Sequence, residues 1–536
     1  MKGIMIIVAA LAATLTARAA SEEGMTYRFD SDGTCTLLKA DCAGDVVLPA
    51  TVEHESRQYV LTTIGVGAFA DSRVVTLSLP ETIAEIGEDA FRRCIALEKV
   101  TVPTLEAWTR ISFANEYASP LNGMRPLYIG DSPLTALEIP EGVPELKPYA
   151  FYDCSSLVTA DLHGVSSVPP HCFDGCEGLR GIALDPGTTA VGEWAFSICT
   201  SLGEIRLPDS VAEVGQGAFY GCSSLKNVEL PAALAYIPAL GFAGCVSLEH
   251  LDFLPSSIQG VGDYAFYFCT GLERASFPEA TKYFGQFLFR DCESLREVKI
   301  PAEDAQLDEF MFANCYRLES VGLPQEIEAL PQGLFFECQS LKDVVLPLSV
   351  REIGPYAFGD CHSLPFLALP DGLLHIGECA LYGCYALTRV DFPPSMESIA
   401  AEAFYQCPRL DQIHVRSAVP FNISFFSFDW RADREAHVFV PAASLQLYLD
   451  DKYGWGCFDN IEGLEEYNAD TWLSVSWGGT EVGRPVEYGA EIQLCVLRED
   501  GSLPAKVTFN GAELAVSPDG YVTTPPVTGK SLLAVE

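Results

Sequence analysis

Basic residues are scarce in this chain. Lys and Arg total 33 against 73 Asp and Glu, a formal charge of -40 over 536 residues. Phosphate binding needs a concentrated basic face, so nucleic acid is not an expected partner. The acidic residues form no long run, so the charge favours solubility and does not mark a disordered tail. Long apolar runs are missing too. The stretch from Ile4 to Leu15 is too short to cross a bilayer and no other is longer, so no membrane insertion is expected. Catalytic signatures are absent: HExxH, GxSxG and CxxC do not occur, and "TGKS" near the end has Thr524 where a phosphate loop needs glycine. No enzymatic activity, cofactor or metal is therefore expected. Carboxylate pairs at a glycosidase separation are the one hydrolytic route that this screen leaves open.

The first residues are more informative. Lys2 precedes the apolar run, and small residues follow, with Ala17 and Ala19 placed for cleavage after Ala19. That is the layout of a secretory signal peptide over residues 1–19. No cysteine sits at the cut to take a lipid. The mature chain is expected to be secreted, extracellular or at the cell surface, and monomeric.

Cysteine is plentiful and periodic. Beyond Cys94, the series runs 154, 176, 199, 222, 245, 269, 292, 315, 338, 361, 384 and 407, and Ser72 holds the equivalent place in the first unit, making fourteen units. A fixed period of about 23 residues marks a solenoid, in which each unit buries its apolar face only against its neighbours. In "VGQGAFYGCSSLKNVELP", Leu225, Val228 and Leu230 alternate with Asn227 and Glu229, and Pro231 ends the segment, which predicts a short half-buried strand. Gly215 is expected to permit a tight turn, and Ala218 and Phe219 to lie on a short helical turn. Phe219 has counterparts at 69, 91, 151, 173, 196, 242, 266, 289, 312, 335, 358 and 404, with Leu381 as the substitute, which predicts a spine of stacked rings.

Exported cysteines ordinarily pair. Equivalent positions in stacked parallel units lie about 4.8 Å apart, close enough for a disulfide by distance alone. Their Cβ vectors all point the same way, however, so a ladder of buried free thiols is expected. Cys35 and Cys42, outside the series, stand either as a local disulfide or as two thiols. His171, Cys172 and Cys176 in "HCFDGC" resemble metal ligands, but Cys172 takes the usual alanine place and Cys176 the ladder place, which favours core.

The pattern "IG..AF..C.SL..V.LP" resembles the BspA-like leucine-rich repeats of secreted and surface proteins. That resemblance implies a leucine-rich-repeat solenoid, a curved parallel β-sheet with short helical turns, serving recognition or adhesion without catalysis. "YRFDSDGTCTLLKADCAGDVVLPATV" is similar to the family's N-terminal β cap, assigned to residues 20–62. The array follows at 63–416, with a longer variant repeat at 104–140 that includes Trp108. "HVFVPAASLQLYLDDKYGWGCFDNIEG" resembles the closing segment, assigned to 417–466, with Trp455, Phe458 and Ile461 covering the last repeat. Residues 467–536 alternate around "NG" and "DG" turn signals and read as a small all-β, sandwich-like module.

If Val228 and Leu230 point inward, Asn227 and Glu229 point out of the sheet, and the same two offsets recur in every unit. Phe366 is the large aromatic among these outward pairs. Val345 and Ala368 lie beside it on adjacent strands, and Arg389 and Asp391 are expected as a polar rim, the usual build of a binding hot spot. The leading expectation is a binding or adhesion protein that engages a protein or glycan on host or neighbouring cells through its concave sheet. A passive spacer whose C-terminal module makes the contacts, and a secreted hydrolase, are the alternatives.

Overall fold

The computed structural model describes residues 20–22, 24–139, 143, 145–424, 426–452 and 454–464, and in the tail 472–477, 480–485, 493–496, 506–509, 512–517, 521–524 and 530–535. The expected signal peptide and the two tail turn signals lie outside these. The chain divides into two compact units, residues 1–202 and 203–536. In each, the repeats coil as a parallel β-solenoid of about 23 residues per turn.

Most turns supply a short strand or a single bridge that pairs in register with a neighbouring turn. In the second unit Arg274, Glu297 and Ser320 are aligned, as are Ala275, Val298 and Val321. In the first unit Thr159–Leu162 pairs with Gly181–Leu184 in the same way. Alternation then sorts the faces, so that Val298 is buried while Lys299 is exposed. A second, two-residue strand follows in many turns, as in Glu352–Ile353, His375–Ile376 and Ser398–Ile399, with each isoleucine inside.

The segment expected as a helical turn is instead a run of tight turns. Tyr264 and Phe268 sit in the left-handed region, at φ 56° and 57°. Their N–H groups and that of Phe266 between them donate to the carbonyls of Gln286, Arg290 and Leu288 in the next repeat, at 2.9, 2.9 and 3.1 Å. Alternate N–H groups aimed at a neighbour cannot close helical i to i−4 bonds, which is why no helix forms here. The described α-helices are three short ones, Leu105–Thr109, Trp430–Glu435 and Leu445–Asp450, and none is long and apolar enough to cross a membrane.

The recurrent glycine also has a different task from the one expected. Gly262, Gly285, Gly354 and Gly377, the later counterparts of Gly215, are not left-handed. A Cβ on Gly262 would lie 2.5 Å from the Ala239 nitrogen, one on Gly377 2.7 Å from the Pro355 nitrogen, and one on Gly354 would strike the Leu330 carbonyl oxygen. Glycine is needed because successive backbones approach too closely for a side chain.

Inside the coil, the phenylalanines stack. Phe151, Phe173 and Phe196 follow one another at 5.4 and 5.5 Å in the first unit. In the second, Phe219 to Phe358 continue at 5.3 to 5.9 Å with interplanar angles of at most 22°. Beside them run the cysteines, all free thiols among the described residues. They do more than fill space. Cys176 donates to the Phe151 carbonyl at 3.0 Å, Cys292 to Phe266 at 3.1 Å and Cys315 to Phe289 at 3.2 Å. Each of these three thiols bonds the phenylalanine carbonyl of the preceding repeat, Cys407 bonds the Leu381 carbonyl in the same way, and in the first unit Ser72 Oγ lies 3.5 Å from Cys94 Sγ.

Burial pushes these thiols far from ionisation; the Cys269 and Cys407 thiols rise to about 12. Thiolate, the reactive form, is therefore suppressed. A thiol reagent is expected to label exposed Cys457 and, slowly, half-buried Cys42 in the folded chain, and the ladder only after denaturation. Inter-repeat disulfides found by peptide mapping would contradict this.

Local structure resolves several ambiguities. Cys35 and Cys42 are both free, and Cys35 is buried with its thiol toward the Tyr59 carbonyl, so the local disulfide does not form. Trp108 is fully buried and its indole donates to the Ala150 carbonyl at 2.7 Å, filling the variant repeat's core. At the far end Trp455 is fully buried against Phe392, Phe421 and Phe428, and Phe458 packs edge-on against Phe428 at 5.3 Å. In the tail, a five-stranded and a two-stranded sheet share a core of Val496, Val507, Phe509, Val522, Leu533 and Val535.

Candidate functional site

The outward positions of the strands form two columns, and their side chains are set by the register. In the second unit one column falls into three paired runs, Glu204 and Asn227, then His250, Arg274, Glu297, Ser320 and Asp343, then Phe366, Arg389 and Gln412, all at the same repeat offset, and the other column lies two residues on. Most of these are exposed, as alternation predicts. Charged neighbours on this face neutralise one another: Arg206 Nε lies 3.1 Å from Glu229 on the next rung, and Lys299 Nζ 3.7 Å from Glu297 on its own strand.

The three apolar residues expected on this face differ in exposure. Val345 is 45% exposed and Leu348 beside it 42%, while Phe366 and Ala368 are half-buried. Gly322, on the rung before Val345, faces open space where a Cβ would meet nothing within 4 Å. Val345 and Ala368 occupy the same offset on consecutive repeats, and Phe366 bridges to Arg389.

The expected rim is not as drawn. Asp391 is only 2% exposed, so it is not a solvated edge. Arg389 Nε binds its carboxylate at 2.7 Å, and His414 and Phe439 follow on the next two rungs, their rings 4.7 Å apart. These neighbours withdraw Asp391 from water, and the pair is closed on itself. Burial also pushes the His414 imidazole down to about 4, against the opposing pull of Asp391, so it is neutral at physiological pH.

Two further aromatics on the same type of face were invisible to the repeat pattern. Tyr128 lies in the variant repeat of the first unit, paired with Thr101, with Lys99 Nζ 4.1 Å from its ring centre. Phe439 lies in the closing segment of the second unit. Neither follows an "AF..C" motif, so the phase that located Phe366 could not locate them. Trp108, in the same variant repeat as Tyr128, is fully buried and adds nothing to this face.

No catalytic or metal constellation is assembled from the sequence candidates. Cys172 and Cys176 are fully buried, and His171 Nδ1 is bonded to Asp174 at 2.9 Å. Among the described residues no group of three or more His, Cys, Asp or Glu is placed to hold a metal.

Comparison with known proteins agrees with this architecture. A model of the BspA type leucine-rich repeat region, in six copies, matches residues 56–119, 128–249, 189–319 and 328–429. Similar solved structures include a leucine-rich repeat protein from Bacteroides ovatus, 24% identical, covering 78% of this chain and 99% of its own, with a TM-score of 0.47. A leucine-rich cell surface protein from Faecalibacterium prausnitzii is 20% identical and covers 74% of this chain and 94% of its own, with a TM-score of 0.44. The pneumococcal vaccine antigen PcpA is 13% identical, covers 84% and 99%, and has a TM-score of 0.32. No curated protein matches the chain. With more than half of its residues matched by the family model and the repeat seen in its strands, phenylalanines and cysteines, the chain belongs to the BspA-type leucine-rich repeat family.

Proposed function

We propose that this protein is a secreted or cell-surface binding protein, without enzymatic activity, that holds a protein partner on the outward face of its long-strand sheet. The observation that carries the reading is the contrast within each repeat. Phenylalanine, cysteine and leucine recur inside, while the outward pairs vary and gather one apolar island at Val345, Phe366 and Ala368. An exposed apolar patch with charged surroundings is the common form of a protein contact site. Its export is supported by the Lys2-led apolar leader ending at Ala19.

A binding screen of residues 20–536 against matrix proteins, glycans and cells tests it, repeated with residues 20–464. Retention of a hit by the shorter chain is the expected outcome. Loss of every hit on removing the tail would transfer the contact to the C-terminal module and leave the array as a spacer.

A further inference from the structure

Six outward positions, Ser320, Gly322, Asp343, Val345, Phe366 and Ala368, form a window of two columns and three rungs. On one side the window is bounded by the Lys299–Glu297 pair and on the other by the Arg389–Asp391 pair, each closed on itself. Asp343 is the window's single charge. It is exposed and enters no ion pair among the described residues.

We infer that this window receives a basic, aliphatic segment of the protein partner, with an arginine set against Asp343 and Phe366. The inference rests on the sheet face being the binding face. Phe366 holds in the next repeat the offset that Asp343 holds in its own, and neighbouring parallel strands lie about 4.8 Å apart, so a guanidinium bound to the carboxylate would come within the roughly 6 Å reach of the ring face. Arginine suits this better than lysine, because its planar fork binds a carboxylate and stacks on an aromatic at once. Val345, Ala368 and the open ground over Gly322 offer an apolar floor for the neighbouring aliphatic side chains. The whole chain favours the same sign: a formal charge of -40 draws cationic partners in and disfavours anionic ones. An acidic segment would meet Asp343, and Arg389 at the window's edge is already committed through Nε to Asp391.

The test uses residues 20–536 and two peptides labelled with the same fluorophore at the N-terminus, Ala-Leu-Arg-Leu-Ala-amide and the same sequence with Glu for Arg, followed by anisotropy. The arginine peptide is expected to bind at least about fivefold more tightly than its glutamate counterpart, the order of one partly solvated charge-assisted bond. Asp343→Asn, at an exposed position that folding does not need, should erase that difference. Equal binding of the two peptides, no binding of either, or an unchanged preference in Asp343→Asn would overturn the inference. The underlying reading is tested separately: if a partner found by the screen is lost in Phe366→Ser but kept in Asp343→Asn, the face stands and only its charge preference falls, whereas a partner kept in both variants removes the face itself.

Discussion

Phe266→Ala is expected to lower stability by about 3 to 5 kcal/mol, the cost of emptying a fully packed aromatic site. Phe266 is completely buried, its ring lies 5.7 Å from Phe242 and 5.8 Å from Phe289, and its carbonyl accepts the Cys292 thiol. In a solenoid each turn is held only by its neighbours, so an interior gap weakens two interfaces at once. Removing residues 465–536 deletes a module whose described core is its own, and leaves the turns intact. Denaturant titration should therefore show a larger fall in midpoint for Phe266→Ala than for the truncation. Equal midpoints would argue against a continuously stacked core within the second unit.

Gly354→Ala is the second large effect, expected at about 2 to 3 kcal/mol. Its backbone conformation is ordinary, so the cost is not one of φ. The added methyl would run into the Leu330 carbonyl oxygen and the Pro331 and Gln332 backbone of the preceding repeat, none of which can swing aside like a flexible side chain. Gly322→Ala is the matched control, because its methyl would enter open space, and it should leave the midpoint almost unchanged. A Gly354→Ala chain as stable as the control would show that the repeats can separate at little cost.

Much of this architecture could be read from the sequence because solenoid geometry turns position within the period into position in space. The phase of Phe151, Phe173 and Phe196 and of Cys154, Cys176 and Cys199 is enough to place both sets in the core. What the period conceals is the reason for each residue. Cysteine at the ladder looked like a small apolar filler, whereas its S–H supplies a bond to a neighbouring carbonyl, visible only once two repeats are stacked. Glycine after the second strand looked like a turn residue, whereas the constraint comes from the repeat before it. Tyr264 and Phe268 in left-handed backbone have no sequence signal at all, since bulky residues are poor at φ above zero and would not be assigned there. The site was legible to the same depth. Alternation located Phe366, Val345 and Ala368, yet it also placed Asp391 in water, because alternation knows the face of a strand but not what lies beside it on the next rung.

The most direct test of the binding face compares Phe366→Ser with Asn227→Ser in residues 20–536, using a partner that the screen identifies and first checking that both variants unfold as the parent does. Asn227 occupies the same outward column, exposed and far along it from the apolar island. The account predicts at least about a tenfold loss of affinity in Phe366→Ser, a hot-spot-sized effect, and none in Asn227→Ser. Unchanged affinity in Phe366→Ser would contradict it.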